Sequence, residues 1–511
     1  MVFSSIIFVH FFLPIVLIGY FILIMPAILN SKRSSWWHAG NFFLLISSLV
    51  FYFWGEKYLI WIIITSTLID YFCGLLISGG FSRGQIVKLT PDAPRSFRQK
   101  FGLALSICSN LVFLGVFKYF NFGVDSYNHF MSTLGLSTLE WTNAVRITLP
   151  LGISFYTFQS MSYTIDVYRG HVQATRNLID FACYVTMFPQ LVAGPIVRYH
   201  DIADKLHNRL ISYELFASGV SRFIIGLGKK LLIANTVSVA AEQILAIPTN
   251  EINGSVAWLG IVCYTVQIYF DFSGYSDMAI GLGRMFGFSF MENFNYPYIS
   301  RSMREFWQRW HISLSTWFRD YLYIPLGGSR ISTKRTYLNL VIVFTLCGLW
   351  HGASWVFVVW GLYHGFFLVI ERMWLGKFLA GRHPLFGHVY ALIVIMCGWV
   401  IFACDTLPHA VGYLSAMFGF TKNVSSVQDI DWFLTREIRI ALIAGIIFSM
   451  PTLPGFVELC DRLLVWLKGV SRTAATIIFG AFRVIGLCAL FVICVMYLSA
   501  GTHNPFIYFR F

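Results

Sequence analysis

The sequence TYLNLVIVFTLCGLWHGASWVFVVWGLYHGFFLVI occupies residues 336–370 and contains no Asp, Glu, Lys or Arg. About 20 mostly apolar residues are enough to cross the hydrocarbon core of a membrane. The run is therefore too long for one straight span, and it is interrupted near Gly348 and Gly352. It predicts a membrane-embedded core segment that forms either one broken helix or two passages.

The rest of the chain has the same apolar character. Of its 511 residues, 57% are hydrophobic and 12% are charged, which is about half of the charged share of an ordinary globular protein. This composition excludes a soluble enzyme, and the 50 phenylalanines exclude a disordered chain. Further runs without those four charged residues cover 1–31, 34–55, 101–117, 147–165, 181–197, 252–270, 384–404, 440–457 and 484–509, and 58–82 and 222–247 are additional candidates. We therefore predict an all-α polytopic membrane protein with about ten to twelve transmembrane helices, in which residues 1–511 form a single domain.

The net charge of +13 is distributed unevenly between the loops. Residues 83–100 and 301–335 are rich in Lys and Arg, whereas 121–146 and 242–251 are net acidic. The positive-inside rule places the basic loops in the cytoplasm, against anionic membrane lipids, which accounts for the positive charge without a nucleic-acid partner. Basic and acidic loops alternate between the two sides of the membrane only if residues 181–197 enter and leave on the same side. We therefore predict that this segment is re-entrant and surrounded by protein.

Residues 271–335 combine charge with aromatic side chains and are predicted to lie at the cytoplasmic interface. Within 304–321, apolar residues recur at helical spacing, which predicts an interfacial amphipathic helix with its aromatic rings in lipid or protein. A neighbouring polar stripe contains Arg304, Gln308, His311, Ser315 and Arg319. The stripe either covers the helical bundle or lines a cytoplasmic entrance for an anionic ligand, because arginine suits phosphate groups.

His351 is the most conspicuous polar residue of the core segment. An ionisable side chain inside an apolar run is a functional candidate by default, although a neutral histidine can also be satisfied by one carbonyl group. Its ordinary pKa near neutrality suits a general base. His364 lies 13 positions on, about 220° around an ideal helix, and is interpreted as structural. Asp70, Asp271 and Asp277 are the other polar groups near apolar stretches. Asp271 and Asp277, six residues apart, either form a carboxylate pair for acid/base work or, as we favour, hydrogen-bond helix ends or balance nearby arginines. No metal-spaced cluster appears.

Two longer motifs resemble the membrane-bound O-acyltransferase family. They are Arg304-Glu305-Phe306-Trp307-Gln308-Arg309-Trp310-His311-Ile312-Ser313-Leu314-Ser315 and Leu349-Trp350-His351-Gly352. The resemblance covers nearly the whole chain, and it is strongest to the branch that acetylates exported polysaccharides such as alginate. It implies re-entrant and interfacial helices around a central funnel or tunnel, with His351 as the catalytic residue and His311 as a second important one.

The resemblance also implies the substrates and the partners. Acetyl-CoA is the expected acyl donor and enters from the cytoplasm, and no metal is expected. The expected location is the bacterial inner membrane, crossed several times, and periplasmic acetyltransferase components are the expected partners. The candidate phosphate-binding residues are Arg301, Arg304, Arg309, Arg330, Lys334 and Arg335. Three alternatives remain open: a related acyltransferase acting on cellulose, peptidoglycan or D-alanylated teichoic acid, a secondary transporter, and a non-catalytic scaffold of an export complex.

Overall fold

The computed structural model describes residues 2–29, 35–81, 86–91, 93–420, 429–466 and 469–501. These residues form helices and connecting loops, and they contain no strand. The prediction of an all-α chain is therefore confirmed.

Twenty-three α-helices follow one another along the described residues. The first twelve are α1 (Leu13–Leu29), α2 (Ser35–Glu56), α3 (Ile60–Ser78), α4 (Phe97–Leu114), α5 (Phe120–Thr133), α6 (Ile153–Arg169), α7 (Leu178–Thr186), α8 (Phe188–Leu191), α9 (Tyr199–His207), α10 (Tyr213–Gly228), α11 (Asn235–Leu245) and α12 (Gly254–Met285). The remainder are α13 (Met303–Arg309), α14 (Ile312–Phe318), α15 (Thr333–His351), α16 (Trp355–Ile370), α17 (Gly376–Ala380), α18 (Pro384–Ala403), α19 (Leu407–Met417), α20 (Ile430–Phe433), α21 (Arg436–Phe448), α22 (Thr452–Trp466) and α23 (Gly469–Ser499).

Eight helical segments of the described residues are long and apolar enough to cross a membrane. They are Phe8–Leu29, Trp36–Ser78, Phe97–Thr133, Tyr213–Leu245, Gly254–Met285, Trp355–Ala380, Pro384–Ala403 and Thr473–Ser499. The second contains α2 and α3, which meet at Lys57 with a positive φ of 49°. The chain is thus a multi-pass membrane protein. The larger number predicted from sequence also counted runs such as 147–165, which forms the largely buried α6.

The predicted re-entrant segment 181–197 is not one long helix. It contains most of α7, then α8, and then a non-helical stretch up to Val197. Its side chains are almost entirely buried by protein. This is the environment in which irregular backbone is tolerated at membrane depth, because neighbouring protein groups satisfy its polar atoms.

The prediction of an amphipathic helix over 304–321 is wrong in one respect, because the helix is not continuous. The helix ends at Arg309 and restarts at Ile312, because His311 adopts a left-handed conformation with φ 45° and ψ 54°. Trp307, Trp310 and Trp317 are each at most 7% exposed, so the aromatic stripe packs inside the protein. Hydrogen bonds to other parts of the chain replace the helical hydrogen bonds that are missing at this break. One of them joins Ile312 N–H to the Asn293 carbonyl at 2.9 Å.

The core segment 336–370 forms two helices, α15 and α16, joined by a tight turn at residues 352–354. Glycines allow the two backbones to touch: a Cβ atom on Gly348 would collide with the Phe357 carbonyl, and one on Gly361 would collide with the Phe344 carbonyl. The run is therefore a hairpin of two helices, and of these two only α16 belongs to a candidate membrane span of the described residues. His351 is the last residue of α15 and lies at the turn.

Candidate active site

His351 lies in an aromatic enclosure at the end of α15. Its side chain is 4% exposed, and its ring centroid is 4.9 Å from that of Trp350, 5.0 Å from that of Trp360 and 5.4 Å from that of Phe402. Neither of its ring nitrogens has a hydrogen-bond partner among the described residues. A buried polar group without a partner is costly, and such groups are characteristic of catalytic sites.

The last turn of α15 is held by two side chains from the segment between α4 and α5. Lys118 Nζ donates to the carbonyls of Trp350 and His351 and to Ser154 Oγ (3.1 Å). Tyr119 Oη donates to the Leu349 carbonyl at 2.7 Å. A helix leaves its last carbonyls without intrahelical partners, and a cation is favourable beside them. These contacts fix the backbone that carries His351.

His311 is fully buried, and its tautomer is set by Asn293. Asn293 Oδ1 accepts from Ser313 Oγ (2.8 Å) and Ser313 N–H (3.3 Å), which identifies it as the amide oxygen. The same oxygen lies 3.1 Å from His311 Nδ1, so Nδ1 carries the proton and donates it. His311 Nε2 is then the unprotonated nitrogen, and it has no partner among the described residues.

The two histidines form one buried pair of neutral bases. Their ring centroids are 6.4 Å apart. Burial lowers the pKa of His311 to about 3. Each ring presents at least one nitrogen without a hydrogen-bond partner among the described residues, and an unprotonated imidazole nitrogen can accept a proton.

His364, interpreted from sequence as structural, lies in the same enclosure. The break at residues 352–354 lets α16 fold back, and Trp360 stands between the two histidines, 5.0 Å from the ring of His351 and 4.7 Å from that of His364. His364 also packs 5.2 Å from Trp307 on α13. Its ring nitrogens have no partner in the described parts of the chain.

A small pocket reaches His351 from the side of the α5–α6 connection. It has a volume of about 20 Å³, room for about one water molecule. Lys118, Ser154 and Val192 line it together with the histidine. A nucleophilic hydroxyl that enters here meets an unprotonated imidazole.

A basic cavity of about 1060 Å³ lies at the opposite end of α16. Of the six predicted phosphate-binding residues, Arg301 and Arg304 line it. Its other basic residues, Arg372, Lys377 and Arg382, were not predicted. Its acidic residue, Glu371, accepts the backbone N–H groups of Met303 (2.5 Å) and Arg304 (3.0 Å) and thereby holds the start of α13.

The remaining predicted phosphate-binding residues lie elsewhere. Arg309 pairs with Glu305 at 2.9 Å, and it lines a separate cavity of about 360 Å³. Arg330 and Lys334 are exposed around the start of α15. Arg335 donates to the Leu326 carbonyl at 3.4 Å. The structure does not bring these four residues into the basic cavity.

A second large cavity, of about 1100 Å³, lies between α10, α12, α21 and α23. Most of its lining is apolar, with charged residues such as Lys229 and Asp277 on one wall. Asn293 and Ile312 also line it. The cavity therefore extends to the residue that follows His311 in the chain and to the residue that bonds its ring.

Sequence reasoning missed Asn293 and Lys118. Asn293 belongs to no motif, and its role depends on the left-handed break at His311. Lys118 carried a usable signal, since it lies in the middle of the membrane-length segment Phe97–Thr133, where a charged residue is costly and hence functional by default. The charge-free run 101–117 ends one residue before Lys118, so run length alone places Lys118 at the end of a span.

The three aspartates have structural partners, and one of them, Asp277, balances an arginine as expected. Asp70 accepts from Ser106 Oγ (2.6 Å) and Asn110 Nδ2 (2.8 Å). Asp277 pairs with Arg222 and Lys229. Asp271 pairs with Lys230 at 2.6 Å. These contacts join neighbouring helices and leave the histidines as the reactive groups of the enclosure.

The chain is similar in sequence to known proteins. The model of the membrane-bound O-acyltransferase family matches residues 5–405, a range that contains both histidines. A probable alginate O-acetylase of Pseudomonas putida is 42% identical over the whole of both chains. A peptidoglycan O-acetyltransferase of Helicobacter pylori is 30% identical over all of this chain and 98% of its own. A teichoic acid D-alanyltransferase of Bacillus subtilis is 31% identical over 42% of this chain and 56% of its own.

Proposed function

This chain belongs to the membrane-bound O-acyltransferase family and is an O-acyltransferase, and we propose from that premise that it acetylates alginate or a similar exported polysaccharide. The observation that carries the proposal is the buried pair His311 and His351, with three ring nitrogens that have no partner among the described residues. The full-length similarity to probable alginate O-acetylases supports alginate as the polymer.

His351 acts as the general base in the proposed reaction. One of its ring nitrogens removes the proton from an acceptor hydroxyl, and the hydroxyl oxygen attacks the acetyl carbonyl carbon of the thioester. The tetrahedral intermediate collapses with cleavage of the carbon–sulfur bond, and the leaving thiolate takes the proton from the imidazolium. A two-step alternative places the acetyl group first on a histidine nitrogen.

The basic cavity is the proposed site for the phosphates of acetyl-CoA. Five basic side chains line it against one carboxylate, and that carboxylate binds the backbone of α13. Arginine forks bind phosphate oxygens in pairs. The positive-inside rule puts this end of α16 in the cytoplasm, so the acetyl group would travel across the inner membrane to a hydroxyl on the periplasmic side. In the cell, periplasmic acetyltransferase components would receive the acetyl group there, and with the purified protein alginate oligosaccharides take their place as the acceptor.

The test uses purified protein in detergent with acetyl-CoA labelled in the acetyl group. Release of free coenzyme A and label on alginate oligosaccharides are measured for the wild type, His351→Ala and the control His129→Ala, whose side chain is exposed. We expect transfer in the wild type and the control and none in His351→Ala. Equal transfer by all three proteins would contradict the role of His351. Label retained on the protein would indicate the two-step route.

Peptidoglycan is the second candidate acceptor, because the Helicobacter pylori relative aligns with the whole chain. The same assay with peptidoglycan fragments in place of alginate separates the two acceptors. Alginate acetylation without peptidoglycan acetylation is the expected result. The reverse result would assign the chain to the peptidoglycan-modifying enzymes.

A further inference from the structure

Far along the chain from the motifs, the fold brings together His38, Asp180 and His207. His38 lies near the start of α2, Asp180 in the first turn of α7 and His207 at the end of α9. One ligand atom from each residue lies within 4.8 Å of the others. No spacing in the sequence reveals this cluster, since its members are separated by 142 and 27 positions.

The central carboxylate is buried and partly unsatisfied. Asp180 is 0% exposed. Its Oδ1 accepts from Asn41 Nδ2 at 2.6 Å, whereas its Oδ2 has no hydrogen-bond partner among the described residues. That oxygen lies 3.0 Å from His38 Nδ1 and 3.6 Å from His207 Nδ1. A buried carboxylate oxygen aimed between two imidazole nitrogens needs an electron-poor partner.

His38 Nδ1 lies between polar groups of the protein. It is 3.1 Å from Asp180 Oδ1, 3.0 Å from Asp180 Oδ2 and 3.0 Å from Asn177 Nδ2. A proton on Nδ1 bonds the ring to the carboxylate, and a metal ion at the same position takes the place of that proton. Asp180 Oδ2, which has no hydrogen-bond partner in the described parts of the chain, faces that position together with His207 Nδ1.

We propose that His38, Asp180 and His207 bind a divalent transition-metal ion, with Zn²⁺ as the best match. Two imidazoles and one carboxylate are a recognised ligand set for such ions, and ligand bonds of about 2.0–2.2 Å in a tetrahedron place neighbouring ligand atoms roughly 3.3–3.5 Å apart. The distances to Asp180 Oδ2 lie on either side of that value. Both histidines are close to half exposed, at 42% and 46%, which leaves an open coordination position facing solvent.

The second coordination shell is already in place. Asn41 Nδ2 bonds both Asp180 Oδ1 and the Leu206 carbonyl (2.9 Å), so it joins the carboxylate to the residue before His207. Hydrogen bonds of this kind orient metal ligands. A bound ion would tie α2, α7 and α9 together on one face of the bundle.

A second histidine–aspartate cluster provides the contrast. Asp166 is also buried, but His200 Nδ1 and His171 Nδ1 approach different oxygens, at 2.7 and 3.5 Å. Tyr321 Oη donates to the oxygen that faces His200. Neither oxygen of Asp166 is among the buried atoms that lack a hydrogen-bond partner in the described residues, whereas Asp180 Oδ2 is. His171→Ala is therefore a matched control for removal of a half-exposed histidine beside a buried aspartate.

The experiment measures metal content in protein purified with a histidine-free tag. After treatment with EDTA, the protein receives equimolar Zn²⁺, passes through gel filtration and is assayed for bound zinc. We expect about one zinc per chain for the wild type and His171→Ala, and background levels for His38→Ala and His207→Ala. Asn41→Ala is expected to weaken Zn²⁺ binding roughly 10- to 100-fold while retaining the site.

Titration of the wild type with Co²⁺ gives a readout that needs no variant. Binding to nitrogen and oxygen ligands in a tetrahedral or five-coordinate site produces visible absorption bands that saturate at one equivalent. Absence of saturable Co²⁺ bands in the wild type, or zinc loss in His171→Ala equal to that in His38→Ala, would overturn the proposal. Gel-filtration profiles identify any variant that fails to fold.

Discussion

Asn293 decides which nitrogen of His311 carries a proton, and this gives a test specific to the histidine. Asn293→Leu removes the acceptor of the Nδ1 proton, and we expect kcat to fall roughly 100-fold, the lower limit of general acid–base contributions. Asn293→Asp keeps an acceptor but adds a negative charge, which favours the imidazolium and raises the pKa of His311.

The pH dependence of acetyl transfer separates these two variants. For Asn293→Asp, the acid limb of the kcat profile is expected to move to higher pH, because His311 becomes protonated at a higher pH. A purely structural role for Asn293 predicts instead that both variants lose activity equally at every pH.

Lys118 positions His351 through the end of α15. Lys118→Met leaves the carbonyls of Trp350 and His351 without their donor, at a cost of about 1–3 kcal/mol for an unsatisfied buried group. We expect a lower melting temperature and a lower kcat, with little change in KM for acetyl-CoA. Lys100→Met, which removes an exposed lysine from α4, is the control. An unchanged kcat in Lys118→Met would refute the positioning role.

At the scale of elements, the hairpin of α15 and α16 depends on backbone contact at two glycines. Gly361→Ala puts a methyl group into the Phe344 carbonyl, so the helices must separate and His351 must move relative to Trp360. We expect loss of acetyl transfer and reduced thermal stability. Gly486→Ala on α23 has nothing within 4 Å of the added carbon and should behave as the wild type. Similar activity in both variants would argue against close packing as the determinant of the site.

The contact of α9 with α6 is expected to weaken at high pH. Hydrogen bonds to Asp166 and Asp201 raise the pKa of His200 to about 9. The charged ring therefore stabilises the fold fully below its unfolded pKa of about 6.5, and this contribution is lost as the pH rises through 9. The melting temperature of the wild type should fall more between pH 6.5 and 10 than that of His200→Gln. Parallel curves for the two proteins would exclude this linkage.

Helices and their interruptions could be predicted from the sequence wherever local sequence signals determine them. Long charge-free runs predicted the helical membrane domain, and the two glycines near residue 350 predicted the interruption that became the hairpin turn. The break at His311 could not be predicted, because it depends on Asn293, which lies 18 positions earlier in the chain. Helical spacing over 304–321 is compatible with a straight helix, and only tertiary contacts select the broken one.

At the scale of the whole molecule, the basic cavity and the imidazole of His351 lie at opposite ends of α16. This helix has 16 residues, so its ends are about 24 Å apart. His351 lies beside its first end, and the basic cavity lies at its last. The sequence predicted both the histidines and a cytoplasmic cluster of arginines. It did not predict that residues 372–382, which follow α16, complete the basic cavity, because these residues carry no motif.

This separation predicts that donor binding and catalysis respond to different substitutions. Arg304→Gln removes one of the cationic side chains that line the basic cavity. We expect KM for acetyl-CoA to rise roughly 10-fold, since a charge-assisted hydrogen bond contributes about 1.5–3 kcal/mol. Because His351 is untouched, kcat should change little. Arg330→Gln, at an exposed position outside the cavity, should leave both parameters unchanged, and added salt should raise KM of the wild type more than that of Arg304→Gln. Equal increases of KM in both variants would assign the effect to overall charge, and a rise in Arg330→Gln alone would move the donor site to the start of α15.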